Sequence, residues 1–108
     1  MPSKMSFQDW CSRRLLLMKT EKALFKLTNQ ISLEILLTIG ASSILLSKSE
    51  VYELMDASEV AVRMHLKALQ ANDLILVIAS ETDHRVEKLA LSPKAQKMFQ
   101  YCKNLLAL

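Results

Sequence analysis

The sequence predicts a mainly α-helical domain that carries a small β-hairpin. The 108 residues include only one glycine and two prolines, which is too few for the many tight turns of an all-β domain. Apolar residues recur at helical spacings of three and four over most of the chain. Two short β-prone runs, separated by a polar segment, stand before the last predicted helix. These observations predict one domain over residues 1–108.

Composition and residue spacing exclude several classes of protein. Hydrophobic residues make up 51% of the chain and charged residues 23%, which contradicts intrinsic disorder. The apolar runs fall far short of the roughly 20 residues of a membrane helix, and Cys11 and Cys102 do not make a disulfide framework. We therefore expect a reduced, cytoplasmic protein with no membrane partner. The sequence shows neither a zinc-site spacing nor a catalytic constellation, so we expect no metal, no cofactor and no enzymatic activity.

The first predicted helix, residues 6–29, has an apolar stripe that is too broad for a small domain to bury on one side. Phe7, Trp10 and Leu17 follow helical spacing, and neighbouring apolar residues widen the stripe. We therefore expect this helix and the last predicted helix, at about residues 93–107, to contact a second copy of the chain. The residues predicted at this dimer interface are Phe7, Trp10, Leu17, Met98, Phe99 and Leu105.

The next elements are a second helix, a short strand and the start of a third helix. The second helix is predicted over residues 32–41 and ends at Gly40 and the following serines. Residues 44–46 are apolar and too few for a helix, so they predict a single short strand. Ser47 opens the third helix, because Glu50 stands three residues later and completes a capping box.

A fourth helix and a hairpin follow. Ser58 is a good N-cap for a helix that runs to about residue 71. The period then changes, and residues 74–79 and 86–91 form two β-prone runs. The polar residues 80–84 between them predict the tip of a β-hairpin.

The order of these elements predicts a winged helix-turn-helix. The third and fourth helices are short and joined by a tight turn, and the hairpin that follows can pair with the short strand. In such a unit the second helix of the pair presents its outer face to the major groove of duplex DNA. The hairpin tip, or wing, can then reach the phosphates or the minor groove.

The segment from Leu45 to Ser92 resembles the MarR-type winged helix-turn-helix regulators of bacteria. Residues 58–69 (SEVAVRMHLKAL) look like the family's recognition helix, and residues 89–95 (LALSPKA) are similar to its Leu-x-Leu-Thr-x-x-Gly motif. Residues 83–85 (DHR) look like its Asp-x-Arg wing signature. The resemblance implies a DNA-binding transcriptional regulator. It also implies that Arg85 enters the minor groove while Asp83 pairs nearby and holds it.

Two positions depart from the family pattern. Asp73 stands where these regulators usually have a turn glycine. Ala95 stands where they usually have a glycine after the wing.

The predicted DNA contacts lie at the start of the third helix, on the outer face of the fourth and in the wing. Arg63 would read guanine or hold a phosphate, and Lys67 would hold a phosphate. Val60, Ala61 and Met64 carry no hydrogen-bonding groups, so they would touch thymine methyls or form an apolar surface that binds protein. The full predicted set is Ser47, Lys48, Ser49, Ser58, Val60, Ala61, Arg63, Met64, Lys67, Arg85 and Lys88, with Asp83 as support for the wing.

The charge distribution keeps a second interpretation open. The net charge is +3, but residues 31–73 hold three basic and six acidic residues, whereas DNA-binding surfaces are usually basic. We expect a homodimeric, sequence-specific regulator of transcription that binds double-stranded DNA. The alternative is a winged-helix protein-interaction module without DNA binding. A small-molecule effector is possible, but the sequence does not indicate one.

Overall fold

The computed structural model describes residues 6–25, 30–79 and 86–106, and within them it has five helices and one small sheet. The helices are α1 (Phe7–Phe25), α2 (Gln30–Ala41), α3 (Lys48–Leu54), α4 (Glu59–Ala71) and α5 (Pro93–Leu106). The strands are β1 (Leu46–Ser47), β2 (Ile75–Ala79) and β3 (Glu87–Leu91). They form an antiparallel sheet in the order β1-β3-β2. This arrangement confirms the predicted fold class, a mainly α winged helix-turn-helix.

The start of α3 is fixed by the predicted capping box. The Oγ atom of Ser47 accepts a hydrogen bond from the amide of Glu50 at 3.2 Å. The carboxylate of Glu50 in turn accepts one from the amide of Ser47 at 2.9 Å. The Ser47 amide, followed by the Ser47 side chain, lowers the pKa of the Glu50 carboxyl. Two backbone donors that the helix leaves unpaired are thereby satisfied.

The fourth helix is capped and packed as its sequence predicts. Ser58 is the N-cap, and its Oγ atom accepts from the amide of Ala61 at 3.2 Å. The buried face consists of Val62, Leu66 and Leu69, each at most 2% exposed. These side chains join the common core and so hold α4 against the rest of the domain.

The second helix begins two residues earlier than the sequence predicts, at Gln30, and ends as predicted at Ala41. Ser32, at the predicted start, is buried within α2, and its Oγ atom lies 3.3 Å from Nδ1 of His65 on α4. Gly40 lies inside the last turn of α2. A Cβ atom there would stand 3.1 Å from Cδ1 of Leu91, so the missing side chain lets α2 approach β3 closely.

The short strand lies later than predicted, at Leu46–Ser47 rather than at residues 44–46. Ser42 explains the shift, because its Oγ atom donates to the carbonyl of Ile44 at 2.7 Å and accepts from its amide at 3.2 Å. A local turn thus occupies both backbone groups of Ile44. Pairing with β3 begins two residues later, where Leu46 lies opposite Leu89.

The hairpin also starts one residue later than predicted on each side, at Ile75 and Glu87. Leu74 closes the end of α4 instead of starting β2, since its amide donates to the carbonyl of Leu69 at 2.9 Å. Asp73 adopts a φ of 59° in this turn, the left-handed region that favours glycine. Aspartate tolerates that region better than most residues, which explains how Asp73 can replace the glycine. The hairpin tip at residues 80–84 lies outside the described residues.

The terminal helices pack against each other and extend the core. The rings of Phe25 on α1 and Phe99 on α5 have centroids 4.6 Å apart, and Leu17 and Cys102 are buried beside them. The predicted first helix continues to residue 29, but residues 26–29 are outside the described part of the chain. Ser92 is 1% exposed and caps α5, with its Oγ atom accepting from the amide of Ala95 at 3.0 Å.

Candidate nucleic-acid interface

The outer face of α4 points away from the core and is mostly apolar. Successive helical residues are rotated by about 100°, so Val60 and Met64 lie nearly opposite the buried stripe of Val62, Leu66 and Leu69. Val60 is 79% exposed and Met64 is 61% exposed. Lys67 is also exposed, beside this central line on the next turn. Of the predicted contacts on α4, these three lie furthest from the core.

Arg63 lies on the flank of α4 that faces α3. Its guanidinium carbon is 5.9 Å from the centroid of the Tyr52 ring, and its Nη2 atom donates to Glu59 at 2.6 Å. Tyr52, followed by Glu59, raises the pKa of Arg63 above its already high ordinary value. The cation of Arg63 is therefore matched by an acidic group of its own helix.

Two further predicted cations are paired across the junction between α3 and β3. The Nζ atom of Lys48 lies 3.6 Å from the carboxylate of Glu87. The Nζ atom of Lys88 lies 3.4 Å from the carboxylate of Glu50. Because these pairs are partly exposed, they contribute little to stability, but they link the start of α3 to the base of the wing. They also lower the net positive charge of this surface.

A groove of about 590 Å³ separates α3 from α4. It is open to solvent and lined by both charged and polar side chains. The lining residues are Lys48, Ser49, Tyr52, Glu53, Glu59, Arg63, Leu66, Lys67 and Gln70. The structure thus brings together four predicted contact residues, Lys48, Ser49, Arg63 and Lys67, on one surface.

The other predicted contacts occupy different surroundings. The hydroxyl oxygens of Ser47 and Ser58 already accept bonds as helix caps, and Ala61 is half-buried. The predicted wing residues Asp83 and Arg85 are outside the described residues, so their roles stay predictions.

The residues predicted for a dimer interface divide into two groups. Phe7 is 80% exposed and Trp10 is 52% exposed, with their rings stacked at 6.5 Å. Leu17 instead belongs to the core of its own chain, and Met98 and Phe99 pack against that core. Leu105 is half-buried. Packing within one chain explains why Leu17, Met98 and Phe99 are apolar. It does not explain why the exposed Phe7 and Trp10 are apolar.

The acidic and aromatic partners of the cations were not predicted from the sequence. Glu59 was detectable as an ion-pair partner of Arg63, because the two residues stand four apart on one helix. Tyr52, Glu50 and Glu87 were not detectable in the same way, since their contacts depend on how α3 packs against α4 and β3. Among the described residues, no three side chains of metal-binding type lie close enough together to hold an ion. No described helix is long and apolar enough to cross a membrane.

Comparison with known proteins gives matches in structure alone. No protein-family model and no curated protein matches the chain. The structure of the MepR F27L mutant from S. aureus, bound to an oligodeoxyribonucleotide, aligns with a TM-score of 0.72 and 13% identity over 95% of this chain and 78% of that one. Wild-type MarR from E. coli, in its apo form, aligns with a TM-score of 0.66 and 13% identity over 97% and 79% of the two chains.

A third solved structure is also similar to this chain. The transcriptional regulator BldR from Sulfolobus solfataricus aligns with a TM-score of 0.60 and 18% identity over 86% of this chain and 67% of that one. The wing-and-helix motifs of the sequence predicted a likeness of this kind. The chain therefore has the winged-helix fold of the MarR-type regulators.

Proposed function

We propose that this chain is a transcriptional regulator that binds double-stranded DNA as a homodimer. The recognition helix α4 enters the major groove, and the wing that follows β2 reaches the minor groove. The observation that carries the proposal is the position of α4. The helix is anchored by a fully buried stripe, yet it presents its opposite face to solvent beside α3, whose start is linked by ion pairs to β3 at the base of the wing. MepR, which has the same fold, has been solved bound to DNA.

The charged groups around α4 support a contact with phosphates. Lys67 projects from α4 and has no ion-pair partner among the residues that the structure describes. The three other cations, Lys48, Arg63 and Lys88, are held by single carboxylates on an exposed surface, where such pairs are weak. DNA phosphates can therefore compete for these cations. Arg85 of the predicted wing, which the family resemblance assigns to the minor groove, would add a fifth cation.

The homodimer part of the proposal depends on the exposed apolar side chains of α1. Phe7 and Trp10 are joined by further apolar residues that are about half exposed, namely Leu15, Leu16 and Met18. An exposed apolar surface of this kind is typical of a protein–protein contact. Two chains joined in this way would place two α4 helices about one DNA turn apart and would favour a pseudo-palindromic site.

DNA binding is tested by fluorescence anisotropy of labelled random-sequence duplex DNA at several salt concentrations, with the native protein and Arg85→Ala. We expect micromolar or tighter binding that weakens steeply with salt, and weaker binding by Arg85→Ala. A folded protein that does not bind duplex DNA at low salt would contradict the proposal.

Dimer formation is tested by light scattering at micromolar concentration, with Trp10→Ser as the variant. Ile44→Ser is the matched control, because Ile44 is also more than half exposed but lies far from α1 in sequence. We expect twice the chain mass of 12.3 kDa for the native protein and the control, and a shift toward monomer for Trp10→Ser. A monomeric native protein would contradict the homodimer.

A protein-interaction module is the second candidate function. Two observations favour it: the exposed Val60 and Met64 on α4, and the pairing of three cations with acidic groups. A folded protein that is dimeric but does not bind DNA would support this alternative.

A further inference from the structure

We infer that Val60 and Met64 read the 5-methyl groups of thymine, so that the preferred DNA sites are defined by thymines facing α4. This inference rests on the proposed DNA binding and concerns the base edges that α4 would recognise. The most exposed line of α4 carries apolar side chains, although hydrogen-bonding side chains would be expected there.

The geometry of α4 makes these two residues the first to meet the bases. N-terminal residues of a recognition helix contact the base edges, and Val60 and Met64 lie in the first two turns of α4. Both point away from the buried stripe, and they are 79% and 61% exposed. A helix that enters the groove with this face forward brings an isopropyl group and a thioether toward the bases.

The polar neighbours on α4 are less well placed to read bases. Arg63 is rotated toward α3. It is held there by Tyr52 of α3 and by Glu59 of its own helix. Glu59 is used by the same ion pair, and the Oγ atom of Ser58 caps the helix. Lys67 lies one turn further along, where it can reach a phosphate. Direct hydrogen-bond readout from the first two turns is therefore limited.

Thymine is the base whose major-groove edge matches an apolar contact. It alone among the four bases carries a methyl group in that groove. Four helical residues advance by about 6 Å, which corresponds to roughly two base-pair steps of about 3.4 Å each. Val60 and Met64 should thus read methyl groups about two base pairs apart. Two exposed side chains would make only a small docking site for a protein, because stable interfaces bury about 800 Å² on each partner.

The test uses duplexes that differ only in the thymine methyl groups. A bound site is first selected from random duplex DNA and then synthesised twice, once with thymine and once with deoxyuridine, which lacks the methyl. We expect the native protein to bind the deoxyuridine duplex more weakly, by about fourfold for each methyl group lost from an apolar contact.

Two variants test whether Val60 and Met64 cause the preference for thymine. The double variant Val60→Ser, Met64→Gln keeps side chains that fit an exposed helix, and we expect it to bind both duplexes equally. The control Ile44→Ser removes an exposed apolar side chain elsewhere and should keep the preference for thymine. If the native protein binds both duplexes equally, methyl reading is wrong while the proposed function stands. If the native protein binds no duplex DNA, the proposed function fails and this inference fails with it.

Discussion

Because Arg63 is paired with Glu59, a substitution of Glu59 should change DNA affinity and stability in opposite directions. In Glu59→Gln, the 2.6 Å ion pair on α4 is lost, and Arg63 keeps its charge without an acidic partner on the same helix. We expect the variant to bind duplex DNA more tightly than the native protein. It should also be slightly less stable, because an acidic residue in the first turn of a helix is favourable.

The size of the expected change in salt dependence follows from the number of phosphates that the protein neutralises. The logarithm of the affinity falls with the logarithm of the salt concentration by about 0.9 for each phosphate that the protein neutralises. Glu59 competes with a phosphate for Arg63, so removing Glu59 adds at most about one such contact for each chain. A fourfold rise in salt should therefore weaken the variant by up to about 3.5 times more than the native protein for each chain bound.

The assay is the anisotropy titration at several salt concentrations, with Asp9→Asn as the control. Asp9 is an exposed acidic residue in the first turn of α1, so this change removes the same charge from a helix start away from α4. We expect Asp9→Asn to leave the salt dependence unchanged. Equal affinity together with equal salt dependence for Glu59→Gln and the native protein would refute the assignment of Arg63 to a phosphate or base.

Three further predictions concern the terminal helices. Ser92→Ala should lower the free energy of unfolding by about 1 kcal/mol, measured by denaturant titration, because it removes a buried cap. Burial raises the pKa of the Glu21 carboxyl above its ordinary 4.5, although Arg14 partly opposes the shift. The folded state therefore favours protonated Glu21, and this stabilisation is lost as pH rises through the raised pKa. Glu21→Gln should accordingly be more stable than the native protein at neutral pH, with the difference shrinking as pH falls toward 4.5, and a constant difference would contradict the burial argument. Thiol reagents should modify exposed Cys11 well before Cys102, whose pKa is raised by burial, and equal rates in the folded protein would contradict it.

Features that depend on residues close together in sequence were predictable. The capping box of Ser47 and Glu50 and the N-cap Ser58 need only a three-residue spacing. The structure places both where the sequence analysis did. The buried stripe of α4 likewise follows from helical periodicity alone. Local chemistry therefore determined the starts of α3 and α4.

Features that depend on packing between distant segments were not predictable. The bond between Lys88 and Glu50 joins residues 38 positions apart, and it requires the antiparallel pairing of β1 with β3. The flank position of Arg63 depends on where Tyr52 of α3 lies. The basic residues of the candidate site were therefore predictable from the sequence, but their neutralisation by acidic partners was not.

The start of the short strand shows the same limit at a smaller scale. Apolar residues 44–46 have the composition of a strand, yet the hydroxyl of Ser42 bonds both backbone groups of Ile44. A side-chain hydrogen bond in the preceding turn thus outcompeted the sheet for that residue. Composition alone does not reveal such competition.

If the exposed face of α4 contacts duplex DNA, two lysine variants should differ in their DNA binding. Lys67→Ala and Lys97→Ala remove the same charge from exposed positions on α4 and α5. Both variants are titrated with duplex DNA at several salt concentrations beside the native protein. We expect Lys67→Ala to bind more weakly, with a salt dependence that falls by about 0.9 per chain, while Lys97→Ala matches the native protein. Native-like DNA binding by Lys67→Ala would contradict a DNA contact by this face of α4.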